Sequence, residues 1–215
     1  MNLFSVFDPS TGLLSLNWFS CFLFIIFFPM NYWIVMNNLM LIFNKLIIYL
    51  NFEMKNLINY KGVTLIMLSL CMIILFNNLL GLLPYIFTSS SHLVFSLSLA
   101  FPMWLCFMIY GWLNKTNYMF SHLVPIGTPG ILMPFMVLIE TVSNFIRPGS
   151  LAVRLTANMI AGHLLMSLLG NNTSSILLMI YTMIIYLMLM LFELAVALIQ
   201  SYVFMTLTTL YSSEV

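Results

Sequence analysis

Residues 62–83 and 92–113 pass without one Asp, Glu, Lys or Arg, and within 174–210 only Glu193 interrupts the apolar run. Nothing constrains the fold more. About 20 mostly apolar residues in a helix cross roughly 30 Å of hydrocarbon, and a helix satisfies its backbone hydrogen bonds internally, as lipid requires. Over all 215 residues, 63% are hydrophobic and 5% charged, against about 25% charged in an ordinary soluble domain. That is too little charge to clothe a water-facing surface. The expectation is an all-α, polytopic membrane protein forming a single membrane domain over residues 1–215.

The pattern divides this domain into four parts. Residues 13–36 read as a first crossing, interrupted by Pro29, which bends or shortens a helix. Residues 37–61 change character, because Lys45, Glu53, Lys55 and Lys61 punctuate the apolar positions; such a segment lies along the interface as an amphipathic helix. Residues 62–113 form a helical hairpin that turns at Pro84 and the Thr88 to Ser91 cluster. After a Pro- and Gly-rich loop over 125–134, the apolar pattern continues through 131–170 and 174–210 with a turn at 171–175, giving a long hairpin over 131–210. Helices so much longer than the bilayer is thick must tilt, bend or lie partly along it. Lys45, Lys55, Lys61 and Lys115 fall on one side of this alternating topology, which puts the N-terminus outside by the positive-inside rule. No inverted internal repeat of the transporter kind is visible.

Several functions are excluded. The net charge is +1 with scattered basic residues, so nucleic acid is not an expected partner. Cys21, Cys71 and Cys106 each sit in a separate apolar run, with neither metal-binding spacing nor a disulfide framework; no metal or cofactor is expected. Residues 1–11 contain Asp8 and no basic residue, unlike a secretory signal or presequence, so insertion where the chain is made is expected. That suits a bacterium or an organelle, and composition does not choose. Asn114, Asn171 and Asn172 head Asn-x-Ser/Thr triplets of a kind that arises by chance.

Chemistry concentrates in the long hairpin at Glu140, Arg147, Arg154, His163 and Glu193. Ionisable groups at membrane depth are costly and mark functional sites. Arg154 stands out, with no acid within one helical turn. At 100° per residue Arg154, Asn158 and Ala161 fall within about 40° of Arg147, flanked by Ser150, Ala157 and Gly162, so one face is polar and small. Small residues let another helix approach closely; a polar seam inside the chain's own bundle would use the same face. A guanidinium does not give up its proton, so Arg154 acts as a fixed charge that favours ionisation of a neighbouring carboxylate and repels hydronium. A proton path needs groups that titrate or hold water, and His163, Glu193, Glu140 and Gln200 are available. His163 falls on the opposite side of the helix from Arg154. Folding the chain about Asn172 brings Glu193 level with Arg154, so an ion pair between them is the plain structural alternative. His92 and His122 fall at segment ends, as ordinary interfacial histidines do.

The stretches IETVSNFIRP at 139–148, SLAVRLTANMIAGH at 150–163 and ELAVALIQSYVF at 193–204 closely resemble the subunit a family of F-type ATP synthases. FNNLLGLLPYIFT at 76–88 and HLVPIGTP at 122–129 extend the likeness over nearly the whole chain, and the short N-terminus looks like the mitochondrially encoded form. The resemblance implies an essential Arg154 facing a rotating ring of c subunits, with Ser150, Ala157, Asn158 and Ala161 on the ring-facing surface. It also implies that Asn158, His163, Glu193, Gln200 and Glu140 are the polar positions of proton translocation, His163 and Glu193 following the mitochondrial exchange of acid and histidine. The implied fold has two long tilted helices curving around the ring. The implied partners are the c-ring, the peripheral stalk, other membrane subunits of the synthase, lipid and protons, in the mitochondrial inner membrane.

The resulting expectation is a proton-translocating stator subunit with two aqueous half-channels and no catalytic site of its own, since no Gly-rich phosphate loop is present. Protons rather than sodium ions follow from the resemblance and agree with the lack of an oxygen-ligand cluster. Two rival readings remain at this point: a self-contained secondary transporter, in which Arg154 binds an anionic substrate, and a membrane scaffold indifferent to Arg154.

Overall fold

In the computed structural model, residues 3–10, 12, 15–28, 37–58, 62–124, 127–171 and 176–213 are described. Apolar runs become helices throughout, and among the described residues there is no strand. Of the expected first crossing, a 3-10 helix Leu16–Phe22 and the short α1 (Phe24–Phe27) are described; Pro29 lies outside the described residues, as do Lys61 and Pro125. A further 3-10 turn, Leu3–Phe7, precedes them.

Helix α2 (Asn38–Leu57) is 20 residues long but too interrupted by charge to rank with the spanning helices. It lies against its neighbours by burying Met54 beside Met67, Cys71 and Met205, while the Tyr202 hydroxyl donates to Glu53 Oε2 at 3.3 Å. Among the described residues four helices are long and apolar enough to cross a membrane: α3 (Val63–Gly81), α4 (Leu93–Asn114), α6 (Met133–Asn171) and α7 (Ile176–Ser213). Between α4 and α6 lie α5 (Thr116–His122) and a 3-10 turn, Gly130–Leu132. Helix α6 begins with Pro134 in its first turn, where the missing N–H has no intrahelical partner to lose. Between α3 and α4 the chain reverses through Pro84 and Tyr85, the latter at φ 68°, and through the 3-10 turn Ser89–Ser91.

With 39 and 38 residues, α6 and α7 are each about 57 Å long, nearly twice the hydrocarbon thickness, so they cannot both stand upright and fit. Pro148 sits inside α6 without ending it. A proline lacks the N–H of one ladder bond, and lipid-embedded helices tolerate this when neighbours re-satisfy the backbone. The four spanning helices meet in a core of Ile74, Ala100, Leu151, Ala152, Leu155 and Phe204, while Val94, Ile131, Leu177 and Met188 remain exposed on surfaces suited to lipid. Hydroxyls are disposed of locally: Thr156 bonds the carbonyls of Ala152 and Val153, and Thr208 those of Phe204 and Met205. No hydroxyl satisfied by its own helix needs a partner in hydrocarbon.

Leu155, 2% exposed, has little room for its neighbours to collapse into. Leu155→Ala is expected to cost about 2–5 kcal/mol through the cavity it leaves, seen as a lower midpoint of thermal denaturation in detergent.

Candidate functional site

Helix α6 carries Arg154 one residue before the core position Leu155, which turns the guanidinium away from the bundle and leaves it exposed. Ser150, Ala157 and Ala161 are exposed on the same helix, and Asn158 is half-buried. Among the described residues no acid pairs with Arg154. The expected level placement of Glu193 does not occur. The Glu193 side chain, buried on α7, rests instead on the backbone of Gly162, where an added Cβ would overlap the carboxylate. Leu151, Ala152 and Leu155 share their core cluster with Phe204, while Met166 clusters with Ala197, Leu189 and Met190. These contacts put Gln200 and Ser201, rather than Glu193, at the level of Arg154.

The physical reason lies in the small residues. A reversal predicts register only when both helices leave it symmetrically, whereas close approach is possible only where side chains are small. Gly162, Ala152 and Ala197 fix where α6 and α7 meet, and the register they select separates Arg154 from Glu193 by about two helical turns. Two turns exceed the reach of an ion pair between these side chains.

Toward its N-terminus α6 holds a second charged group. Arg147 Nη2 lies 3.6 Å from Glu140 Oε1, and the guanidinium sits 5.2 Å from the ring centroid of Tyr211, near the end of α7. Arg147 is therefore held by an acid and an aromatic face, unlike Arg154. These groups line a cavity of about 470 Å³ together with Trp104, Trp112 and His122. It lies at the end of the bundle marked by Lys115, the residue that follows α4. His122 thus lines a cavity with an acid and an arginine, which its place at a segment end did not foretell.

Beyond Arg154 in the other direction, His163 is half-buried, with its ring edge-on to Phe7 at 6.4 Å and a buried Nε2 that has no partner among the described residues. Gln200 is half-buried on α7. Arg154 therefore stands between two regions: Glu140 and Arg147 of α6 toward the Lys115 end, and His163 of α6 with Glu193 of α7, resting on Gly162, toward the opposite end. Such an arrangement can move protons at each end and hold a fixed charge between them. Among the described residues no group of three or more His, Cys, Asp or Glu is placed to hold a metal ion. Sequence reasoning missed Tyr211, because no spacing rule ties the end of α7 to the start of α6. It noted Gly162 as a small flanking residue but not that an acid rests on it.

Gly162→Ala is expected to displace the Glu193 carboxylate while leaving the chain inserted. Misplacing a reactive group by about 1 Å can cost on the order of 100-fold, so any activity that depends on Glu193 should fall to near that of Glu193→Gln. Shortening the acid in Gly162→Ala/Glu193→Asp should restore part of it, measured as turnover per inserted complex.

The family described as ATP synthase A chain matches residues 13–213. The chain is similar to ATP synthase subunit a of Anopheles gambiae, at 57% identity over 100% of this chain and 98% of that protein. It is similar also to ATP synthase subunit a of Drosophila simulans, at 58% identity, and of Drosophila melanogaster, at 57%, each over 100% of this chain and 98% of the relative. A family match over nearly all of the sequence, joined to relatives matched end to end, makes this chain a member of the ATP synthase A chain family, and so a membrane-sector component of ATP synthase rather than its catalytic part.

Proposed function

We propose that this chain is the stator of the proton motor: two aqueous half-channels open from opposite faces of the membrane and end on either side of Arg154, which faces a ring of c subunits, each bearing one carboxylate. The observation that carries the reading is Arg154 itself, exposed on α6 with no acid beside it among the described residues. A charge at membrane depth without an internal partner is costly, and a carboxylate on a neighbouring chain removes that cost. The exposed Ser150, Ala157 and Ala161, with half-buried Asn158, make a face small enough for a ring helix to pass.

Each part then has a role. Protons reach His163 and Glu193 from the side of the turn between α3 and α4, pass to a ring carboxylate, and neutralise it so that it can move into lipid. After a circuit the acid returns opposite Arg154, whose fixed charge favours release of the proton toward the cavity of Glu140, Arg147 and Tyr211. Arg154 also repels hydronium, so the two half-channels do not short-circuit. Along α6, Arg154 lies about 10 Å from Arg147 and about 13 Å from His163 at 1.5 Å per residue, distances that keep the two aqueous ends apart. Gln200, at the level of Arg154, is suited to hold water or the incoming carboxyl by hydrogen bonds.

A membrane potential of 100 mV supplies about 2.3 kcal/mol per charge moved, so several protons must be coupled to each ATP. The partners are the c-ring, the peripheral stalk and the other membrane subunits, and the location is the mitochondrial inner membrane. The insect relatives, matched end to end under the name ATP synthase subunit a, favour this reading over a self-contained transporter or a scaffold.

Arg154→Ala, and Arg154→Lys as well, should abolish ATP synthesis driven by a proton gradient while the complex still assembles on a native gel. Proton-driven synthesis by assembled Arg154→Ala complexes at the parental rate would overturn the reading.

A further inference from the structure

A cavity of about 930 Å³ lies between α1, α2 and α3, lined by none of the residues to which proton movement is assigned above. Two helix stripes form its walls. Ile47, Asn51 and Lys55 recur at one-turn spacing on α2, and Leu65, Leu68 and Met72 do the same on α3, as residues of one helix face must. The two helices run antiparallel, since Met54 clusters with Met67 while the Phe43 and Phe76 rings lie 6.1 Å apart. The cavity therefore has two different ends. At the inner end Phe28 packs edge-on against Phe43 at 5.7 Å and against Phe76 at 6.0 Å, which closes it. At the other end stand Lys55, Gly62 and Thr64, and a Cβ added on Gly62 would meet nothing within 4 Å. The mouth is open there.

The mouth is also positive. Lys55 is exposed, and among the described residues no acid lines the cavity or pairs with Lys55. Glu53, two residues away, points about 200° around the helix from Lys55 and accepts its hydrogen bond from Tyr202 of α7. Polarity then falls with depth. The Asn51 amide lies one turn, about 6 Å, inward of Lys55, and beyond it Ile47, Ile73, Phe24 and Phe28 are apolar. The Ser69 hydroxyl, midway along α3, donates to the Ile66 carbonyl at 2.8 Å and leaves this wall effectively apolar.

Depth decides what fits. From Thr64 to Ile73 the α3 wall extends about 14 Å at 1.5 Å per residue, close to half of the roughly 30 Å of hydrocarbon. The cavity is one leaflet deep. A spanning helix of another subunit needs a groove running the whole length of α3, whereas a lipid of one leaflet needs only this much. The mouth opens on the side of Lys115, because α3 begins where α4 ends, and basic pockets between spanning helices on the positive side are suited to anionic headgroups. We propose that this cavity holds one anionic phospholipid, its phosphate on Lys55, its ester carbonyls beside the Asn51 amide and its acyl chains along Leu68, Met72 and Phe28. The site stands apart from the proton path and does not depend on it.

The test uses the assembled complex, checked on a native gel and reconstituted into phosphatidylcholine vesicles. These carry a trace of phosphatidylglycerol or of phosphatidylcholine, each with a photoactivatable diazirine at the end of an acyl chain, and the labelled peptides are mapped by mass spectrometry. The phosphatidylglycerol label should reach the α3 segment between Leu65 and Ile73 about fivefold more than the phosphatidylcholine label, the factor that one lysine supplies near an anionic headgroup. Lys55→Gln should erase this preference and Lys55→Arg should keep it. Lys45→Gln, on a residue that does not line the cavity, should leave it unchanged. Leu68→Trp should fill the cavity and remove labelling by both lipids. Equal labelling of the segment by the two lipids overturns the proposal, as does a preference that survives Lys55→Gln or labelling that survives Leu68→Trp. Loss of the preference in Lys45→Gln as well marks general surface charge and overturns it too. It also fails if the segment stays unlabelled while α7 is labelled, the result expected when a helix of another subunit occupies the groove.

Discussion

The contact between the Glu193 carboxylate and the backbone of Gly162 governs the geometry of the long hairpin. Only a residue without a side chain admits an acid at that point, and once it is admitted the register of α6 against α7 follows. Arg154 is then placed beyond the reach of Glu193, in a chain where acids are few and the described ion pair joins Glu140 to Arg147 instead. The exposure of Arg154 is thus a consequence of packing two turns away.

The bilayer imposes the rest. Helices of about 57 Å in a hydrocarbon layer of roughly 30 Å must incline, and α6 carries its internal proline next to Arg147 without being interrupted. Serine and threonine hydroxyls close onto carbonyls of their own helices, so polar side chains do not force the helices apart. Against this background the buried groups left unsatisfied stand out as deliberate, because hydrocarbon offers no solvent to relieve them.

Two polar regions result, and they differ in chemistry. Near the Lys115 end a cavity contains an ion pair backed by aromatic rings, a setting in which charge is held in place. Near the α3–α4 turn the buried groups are amides, a hydroxyl and imidazoles without a partner among the described residues, and none of them carries a fixed charge. In the proposed mechanism these differences suit delivery of protons on one side and their release beside a compensated charge on the other.

Much of this was legible in the residues alone. Helical class, the spanning segments and the suspicion attached to Arg154 follow from the cost of charge and bare backbone in lipid, which each segment faces regardless of its neighbours. The likeness carried by residues 139–163 and 193–204 pointed to the family that the full-length comparisons bear out. What the sequence could not decide was which residues of α6 and α7 lie level, because that depends on how closely two helices approach and not on either helix by itself. It could not reveal that Tyr211 meets Arg147 or that the Asn78 amide is buried with no partner among the described residues, since burial is a property of the assembled bundle. Composition determined the solvent in which this chain folds; tertiary packing decided which of its few polar groups meet, because close contact between helices is permitted only where glycine and alanine leave room.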